Sequence, residues 1–184
     1  MRVITGKCRG RKLEAPKGLD VRPTSDMTKE AVFSILTNRT EGAVFLDLFA
    51  GTGQMGIEAL SRMAKQAIFI DSSKDSIACV KENVIKADLL KSCRIAQMDS
   101  LSFLSSCKDK IDIAFVDPPY GSDVLNKALP LLSAVMKEDG IVLVETDKRQ
   151  ELPLEIGNGF KLKKVYKYGL AKITSYLKEG LEEE

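Results

Sequence analysis

From residue 43 onward, short apolar runs alternate with segments that have the apolar spacing of amphipathic helices. The apolar runs read AVFLDLF, QAIFID, CRIAQM, IDIAFVD and GIVLVET. Runs that are apolar on both faces of a strand must be covered on both faces, which is typical of parallel strands joined by helices. The alternation therefore predicts an α/β fold built on five parallel strands.

The two ends of the chain depart from this alternation. Near the C-terminus, FKLKKVYKYG and LAKITSYLK meet at Gly169 and predict an antiparallel hairpin. Residues 1–25 contain turn signals at Gly6, Gly10 and Pro23, which predict a small β-hairpin or an extended arm. We expect a mostly parallel seven-stranded sheet within a domain of residues 26–184, preceded by a basic arm of residues 1–25.

The composition excludes several kinds of catalytic site. The 184 residues include no histidine, and the four cysteines form no Cys-x-x-Cys pair. We therefore expect no zinc site and no Ser-His-Asp or Cys-His catalysis, and acid–base roles fall to carboxylates, lysines and tyrosines. The cysteines are expected to be reduced thiols in or near the core.

Hydropathy and charge constrain the compartment and the partners. No apolar run approaches the roughly 18–20 residues that a membrane span needs, and the N-terminus lacks the apolar core of a secretory signal. We therefore expect a cytoplasmic protein that does not associate with membranes. The net charge is only +2, yet residues 1–30 contain eight Lys or Arg and four Asp or Glu residues. This basic segment suggests a polyanionic partner.

The stretch FAGTGQMG places Gly51, Gly53 and Gly56 in the spacing G-x-G-x-x-G after the first predicted strand. Such glycines permit a tight turn and a close ligand approach, and the amides of a helix N-terminus follow. Asp71 ends the second strand, where its carboxylate could accept hydrogen bonds from both hydroxyls of a ribose. This spacing suits NAD and S-adenosylmethionine equally well, and a turn needed only for packing also remains possible.

Two further carboxylates favour S-adenosylmethionine. Asp47 closes the first strand, where it could meet the methionine amino group. Asp99 ends the third strand, where it could accept a hydrogen bond from the adenine amine or merely cap the next helix. The remaining residues of the predicted cofactor site adjoin these positions and are Phe49, Ala50, Ser72 and Ser100.

The fourth strand ends in Asp-Pro-Pro-Tyr, residues 117–120. Pro118 and Pro119 stiffen this turn and lack backbone N–H groups, so the carbonyls there can face a ligand. An exocyclic amine on a heteroaromatic ring is a poor nucleophile because its lone pair is delocalised. Hydrogen bonds to the Asp117 carboxylate and the Pro118 carbonyl would aim that lone pair at a methyl donor, while Tyr120 offers a stacking face. We predict these four residues to be catalytic.

With these motifs in place, the chain resembles the bacterial 16S ribosomal RNA guanine-N2 methyltransferases of the RsmD type. The segments that carry the resemblance span most of the chain and read ITGKCRGRKLEAP, VRPTSDMTKEAVFSIL, DLFAGTGQMGIEALSRMA and DPPY. The resemblance implies a Rossmann-like class I methyltransferase fold. It also implies S-adenosylmethionine as methyl donor, S-adenosylhomocysteine as product, and no metal.

The resemblance further implies a substrate and an RNA-binding segment. The substrate would be the N2 amine of one guanine in 16S rRNA, within a partly assembled small ribosomal subunit, and we expect the enzyme to act as a monomer. By position in the family pattern, the RNA-contacting residues would be Arg9, Arg11, Arg22 and Thr24.

Other functions remain open at this point. Asp-Pro-Pro-Tyr suits any planar exocyclic amine, so a DNA adenine-N6 or cytosine-N4 methyltransferase is an alternative, although 184 residues leave little room for a target-recognition domain. Glutamine methyltransferases favour Asn in the first position of the motif. An NAD-dependent oxidoreductase would leave the motif unexplained, and a non-catalytic RNA-binding module would transfer no methyl group.

Overall fold

The computed structural model describes residues 1–15, 26–119, 123–168 and 171–180. The strands are Val44–Asp47 (β1), Gln66–Asp71 (β2), Cys93–Gln97 (β3), Ile111–Val116 (β4), Met136–Asp147 (β5), Glu155–Gly157 (β6), Phe160–Tyr168 (β7) and Ala171–Lys178 (β8). The helices are Asp26–Leu36 (α1), Gln54–Ser61 (α2), Lys74–Lys86 (α3), Ser100–Ser106 (α4) and Val124–Val135 (α5).

The described strands form one sheet in the order β3-β2-β1-β4-β5-β8-β7-β6. The five strands from β1 to β5 run parallel, whereas β8 pairs antiparallel with β5 and β7 pairs antiparallel with β8. The predicted parallel α/β sheet and its antiparallel C-terminal hairpin are thus confirmed. Gly169, the predicted junction of the hairpin, lies outside the described residues.

The predicted count of seven strands is wrong, because the described sheet has eight. The additional strand is β6, whose three residues pair with the first two residues of β7 in an irregular register. Three residues are too few to show an alternation of apolar and polar side chains, so the sequence pattern gave no signal for this strand.

Helices cover both faces of the sheet. One apolar cluster contains Val32 of α1, Ile57 of α2 and Val84 of α3, together with inward side chains of the strands. A second cluster on the opposite face contains Phe103 of α4 and Leu129 of α5. Since both faces are covered, the edge at which the parallel strands end is where a ligand can approach. Of the helices that the structure describes, none combines the length and apolarity that a bilayer crossing requires.

The N-terminal residues fold back as a small antiparallel turn, with a bridge between Arg2 and Lys12. Val3, Cys8 and Leu13 are buried in the same cluster as α1, α2 and α3. The described part of the arm therefore belongs to the core. The division at residue 25 stays a prediction, since residues 16–25 lie outside the described residues.

The arm is fastened to α2 through its own backbone. Glu58 is fully buried, and its two carboxylate oxygens accept hydrogen bonds from the N–H groups of Ile4 and Thr5, each at 2.9 Å. Arg62, which directly follows α2, lies 2.9 Å from the same carboxylate. The Ser61 hydroxyl accepts a hydrogen bond from the Cys8 N–H at 2.9 Å. These contacts pair the buried charge of Glu58 at both oxygens.

We expect Glu58→Gln to destabilise the protein by about 2–3 kcal/mol, because one backbone N–H of the arm would face an amide NH2 and lose its charged acceptor. Urea unfolding followed by circular dichroism measures this change. Glu30→Gln, an exposed position on α1, is the matched control and should change stability little. Equal stabilities of the two variants would show that Glu58 does not hold the arm.

Candidate active site

Three carboxylates meet where β1, β2 and β4 end. Asp47, the last residue of β1, lies opposite Phe69 of β2 and Phe115 of β4. Asp71 and Asp117 each follow two residues after those partners, so all three acids lie at the same edge of the sheet. The structure therefore brings together three of the four acidic residues that the sequence predicted for the cofactor and for catalysis.

Asp47 is buried without a cationic partner among the described residues. Its Oδ2 accepts a hydrogen bond from the Gly56 N–H at 3.0 Å. Burial raises the pKa of Asp47 to about 8; the hydrogen bond from Gly56 opposes this rise, and the negative charges of Asp117 and Asp71 add to it. Asp117 is half-buried, and it follows two residues after Phe115, the β4 partner of Asp47, at the same edge of the sheet.

Asp71 organises the glycine turn. One of its oxygens accepts a hydrogen bond from the Gly51 N–H at 2.9 Å, and the other accepts one from the Ser73 N–H at 2.8 Å. Each carboxylate oxygen has further acceptor capacity, so these two bonds orient the group and still leave it able to bind a pair of hydroxyls. This orientation fits the predicted contact with a ribose.

The three glycines of the turn have different structural roles. Gly51 has φ +52°, and a Cβ there would point into open space. Gly53 has φ +76° and precedes the first residue of α2. A Cβ on Gly56 would lie 2.3 Å from the ring of Phe69, so Gly56 is required for packing of α2 on β2. The first glycine is thus required by its left-handed backbone conformation, and the third fits the helix to the sheet.

Asp99 caps α4, the second of the two roles that the sequence allowed. Its carboxylate accepts hydrogen bonds from the Ser102 N–H at 3.0 Å and from the Ser102 hydroxyl at 3.2 Å. Ser100 is the buried first residue of this helix. The Met98 N–H donates to the Asp71 carbonyl at 3.0 Å, which joins the end of β3 to the end of β2. Asp99 is exposed, and its adenine contact stays a prediction.

The smaller predicted cofactor residues follow the same edge. Ala50 is buried and donates its N–H to the Ile70 carbonyl at 3.0 Å, while Phe49 is half-buried. Ser72 is exposed, and its carbonyl accepts a hydrogen bond from Gln97. These residues border the turn, and their contacts with a ligand stay predictions.

The proline turn after β4 is described only in part. Pro118 is buried and Pro119 is exposed. The predicted catalytic residue Tyr120 and the predicted RNA contacts Arg22 and Thr24 lie outside the described residues.

The other two predicted RNA contacts lie on the arm. Arg9 is exposed, and the exposed Arg11 donates a hydrogen bond from its guanidinium to the carbonyl of Lys86 at the end of α3. Both side chains are therefore carried by a segment whose backbone is fixed to α2.

Asn83 is a positioning residue that the sequence reasoning missed. It is fully buried on α3, and its amide NH2 donates to the carbonyls of Thr52 at 2.9 Å and Glu14 at 3.0 Å. Its oxygen accepts the Glu14 N–H at 2.8 Å. The side chain thus joins the arm to the glycine turn. The sequence did contain a signal for this role, because Asn83 is an uncharged polar residue beside the apolar stripe of Val80 and Val84.

Neither a disulfide nor a metal-binding cluster is present among the described residues at this edge. All four cysteines are free, and burial raises the pKa of Cys93 to about 12. No group of three or more Cys, Asp or Glu residues within the described ranges has a geometry that would hold a metal ion. The contacts of Asp71 with a ribose diol and of Asp47 with a cationic group stay predictions.

Comparisons with known proteins give the chain its relatives. A family model described as "Conserved hypothetical protein 95" matches residues 1–177. A relative from Bacillus subtilis named "Putative rRNA methyltransferase YlbH" is 36% identical over 185 residues, which cover 98% of this chain and 100% of the relative. The Escherichia coli protein named "Ribosomal RNA small subunit methyltransferase D" is 34% identical over 158 residues, covering 83% of this chain and 78% of that protein.

Solved structures agree with this relationship. One described as "Putative methyltransferase yhhF from Escherichia coli" has a TM-score of 0.85 and 31% sequence identity, and the match covers 98% of this chain and 99% of that one. A Thermus structure described as hypothetical protein TTHA0928 has a TM-score of 0.81 at 27% identity and covers 97% of this chain.

The raised pKa of Asp47 makes stability depend on pH. Between pH 3.8 and about pH 8 the folded protein keeps a proton that the unfolded chain has released, because the ordinary pKa of this carboxyl is 3.8. Unfolding therefore releases a proton in this window, and stability should fall as the pH rises from about 5 to about 8. Asp47→Asn removes the titration, so its melting temperature should fall less over this range.

Thermal unfolding at several pH values, without added ligand, measures the two slopes. Asp139→Asn, exposed at the opposite end of β5, is the control and should keep the slope of the wild-type protein. The same slope for Asp47→Asn and wild type would contradict the assignment of this titration to Asp47.

Proposed function

Since the chain belongs to the RsmD-type family of ribosomal RNA methyltransferases, we propose that it transfers a methyl group from S-adenosylmethionine to the exocyclic N2 amine of one guanine in 16S rRNA. The observation that carries this proposal is the position of Asp117, which directly follows β4 and lies two residues after the strand partner of Asp47. It puts the acid that would hold the amine beside the acid that would hold the methyl donor. Family membership also disfavours the oxidoreductase alternative.

The residues around the glycine turn support S-adenosylmethionine as the donor. We assign the methionine ammonium to the buried carboxyl of Asp47, because a bound cation would favour the ionised form that burial disfavours. The ribose hydroxyls are assigned to Asp71, and Gly51 gives the ligand room to approach. Asp99, with one oxygen engaged by Ser102, is assigned to the adenine amine. When bound, the cofactor supplies an electrophilic methyl group on a sulfonium.

The chain contributes to the chemistry by orienting the base. The Asp117 carboxylate and the Pro118 carbonyl accept hydrogen bonds from the guanine N2 amine, which localises the nitrogen lone pair and aims it along the line of transfer. Pro118 and Pro119 keep this turn stiff, and neither has a backbone N–H that would compete for the carboxylate. We assign Tyr120 to stacking on the flipped base. This mechanism needs no histidine.

The RNA is proposed to reach this edge with help from the arm. Arg9 and Arg11 are assigned to phosphates, and Arg22 and Thr24, which follow in the sequence, are assigned to the same interface. The resemblance supports a partly assembled small subunit as the substrate, and we further propose that the enzyme acts as a monomer.

The decisive experiment supplies labelled S-adenosylmethionine with four substrates: small-subunit particles from cells that lack the enzyme, naked 16S rRNA, assembled subunits and duplex DNA. Label in N2-methylguanosine of the RNA is the expected result. Label in DNA adenine or cytosine would instead favour the DNA methyltransferase alternative, and no label on any substrate would favour an inert RNA-binding module. Calorimetry should show binding of S-adenosylmethionine and none of NAD.

We expect Asp117→Ala to reduce methyl transfer by at least about 100-fold, because the amine loses its charged acceptor. Cofactor affinity should stay within about tenfold of the wild-type value, since Asp47 and Asp71 remain. Initial rates at saturating RNA, together with calorimetry, separate the two effects. Asp139→Ala, far from this edge, should retain full activity. Undiminished methylation by Asp117→Ala would remove the assigned role.

Reversing the charge of Arg9 and Arg11 should weaken RNA binding and flatten its dependence on salt, by about one unit in the log–log slope for each phosphate that is no longer neutralised. The backbone contacts of the arm remain in this variant, but the hydrogen bond from Arg11 to the Lys86 carbonyl is lost, so circular dichroism is used to check the fold. Fluorescence anisotropy with a labelled 16S rRNA fragment measures the slope. A variant with the wild-type slope would show that these arginines do not touch phosphate.

A further inference from the structure

The C-terminal hairpin concentrates positive charge more strongly than the arm does. Residues 160–178 contain six lysines and no Asp or Glu, whereas the whole chain has a net charge of only +2. Two of these lysines are engaged by carboxylates, since Lys161 pairs with Glu179 and Lys178 pairs with Glu138. Lys172 is buried within β8. The remaining three are Lys163, Lys164 and Lys167.

These three lysines lie exposed on β7, and none has a carboxylate partner among the described residues. The pairing of β7 with β8 shifts register between Leu162 and Lys164, so Lys163 is the extra residue of a bulge, outside the regular alternation. The ammonium of Lys164 lies 4.9 Å from the ring centroid of Tyr166. The strand thus presents cations beside half-buried aromatic rings.

The outer side of this part of β7 has no strand partner within the described chain. β6 pairs only with Phe160 and Lys161, at the beginning of β7. From Lys163 to Lys167 the strand advances about 13 Å along an open sheet edge.

This edge leads to the active-site end of the sheet. β7 is antiparallel to β8, and β8 is antiparallel to β5, so β7 ends at the same side as the parallel strands. Lys167 lies opposite Lys172, which in turn lies opposite Thr146 near the end of β5. Asp117 follows β4, the strand that pairs with β5 on its other side.

We propose that Lys163, Lys164 and Lys167 of β7 form a second RNA-binding surface, which binds the phosphate backbone of the substrate and guides it toward Asp117. The inference rests on the proposed function for the identity of the polyanion. Uncompensated lysines interleaved with aromatic side chains fit a single-stranded or irregular RNA segment, whose phosphates they neutralise with release of counterions. The arm packs on α2 and α3, over the other half of the sheet, so the two basic surfaces flank the crevice.

The test is the triple variant Lys163→Gln, Lys164→Gln and Lys167→Gln. Its matched control carries Lys65→Gln, Lys81→Gln and Lys91→Gln, which remove the same charge from exposed positions near β2, α3 and β3. Anisotropy with a fluorescein-labelled 16S rRNA fragment, from about 50 to 200 mM KCl, gives affinity and salt slope. Calorimetry gives the affinity for S-adenosylmethionine.

We expect the β7 variant to bind RNA about 10- to 100-fold more weakly at about 0.1 M salt, with a log–log slope reduced by about two to three. Its cofactor affinity and its rate at saturating RNA should stay at the wild-type level, and the control variant should change neither affinity nor slope. Replacing the same three lysines by arginine keeps the charge and should preserve binding, which separates charge loss from any folding defect.

Wild-type RNA affinity and slope in the glutamine variant would overturn the proposal. In that case the lysines serve another purpose, such as blocking edge-to-edge association of β7, which gel filtration of the variant would reveal. The proposal would also be overturned if the glutamine variant bound RNA like the wild-type protein but had lost binding to anionic lipid vesicles. In that case the three lysines would form a membrane-binding surface. If instead wild-type protein binds RNA through these lysines but transfers no methyl group, the proposed function fails and the surface assignment stands.

Discussion

The active-site end of this protein is organised around a carboxyl group that is hard to ionise. Because β1 lies between β2 and β4, the last residue of β1 is enclosed by both neighbours, and Asp47 is removed from water. Two more acids, Asp71 and Asp117, lie close enough to repel its negative charge. Under the proposed function, the ammonium group of S-adenosylmethionine is the cation that favours the ionised form of Asp47.

The surfaces on either side of this edge carry positive charge. The arm carries Arg9 and Arg11 on one half of the sheet, and β7 carries three lysines without described carboxylate partners on the other half. Under the proposed function, the acidic centre selects the cationic cofactor and the basic flanks attract the anionic RNA. Because the acidic and basic residues are separated, one edge of a single sheet can bind both ligands. The acidic residues then do not repel the RNA, and the basic residues do not repel the cofactor.

Sequence reasoning predicted the features that repeat along the chain or that depend on a local motif. β2 and β4 lie where the apolar runs QAIFID and IDIAFVD predicted them, and the carboxylates at the strand ends converge because parallel strands share an edge. It missed what depends on long-range packing. The strand β6 is too short to show a period, Asn83 reads as one polar residue on a helix, and the role of Gly56 becomes clear only when Phe69 is packed against it. The lysines of β7 were visible in the sequence, but their common position on an open edge required the sheet order.

The anchorage of the arm has a consequence for how this family can diversify. Three side chains hold the arm by hydrogen bonds to its main chain, namely those of Glu58, Ser61 and Asn83. The N–H and C=O groups that they contact belong to Ile4, Thr5, Cys8 and Glu14. Every residue type except proline has both of these main-chain groups. The outward side chains of the arm are thus free to drift during evolution while the scaffold beneath them stays constant. Such an arrangement allows related proteins to change the side chains that would contact nucleic acid while they retain the fold.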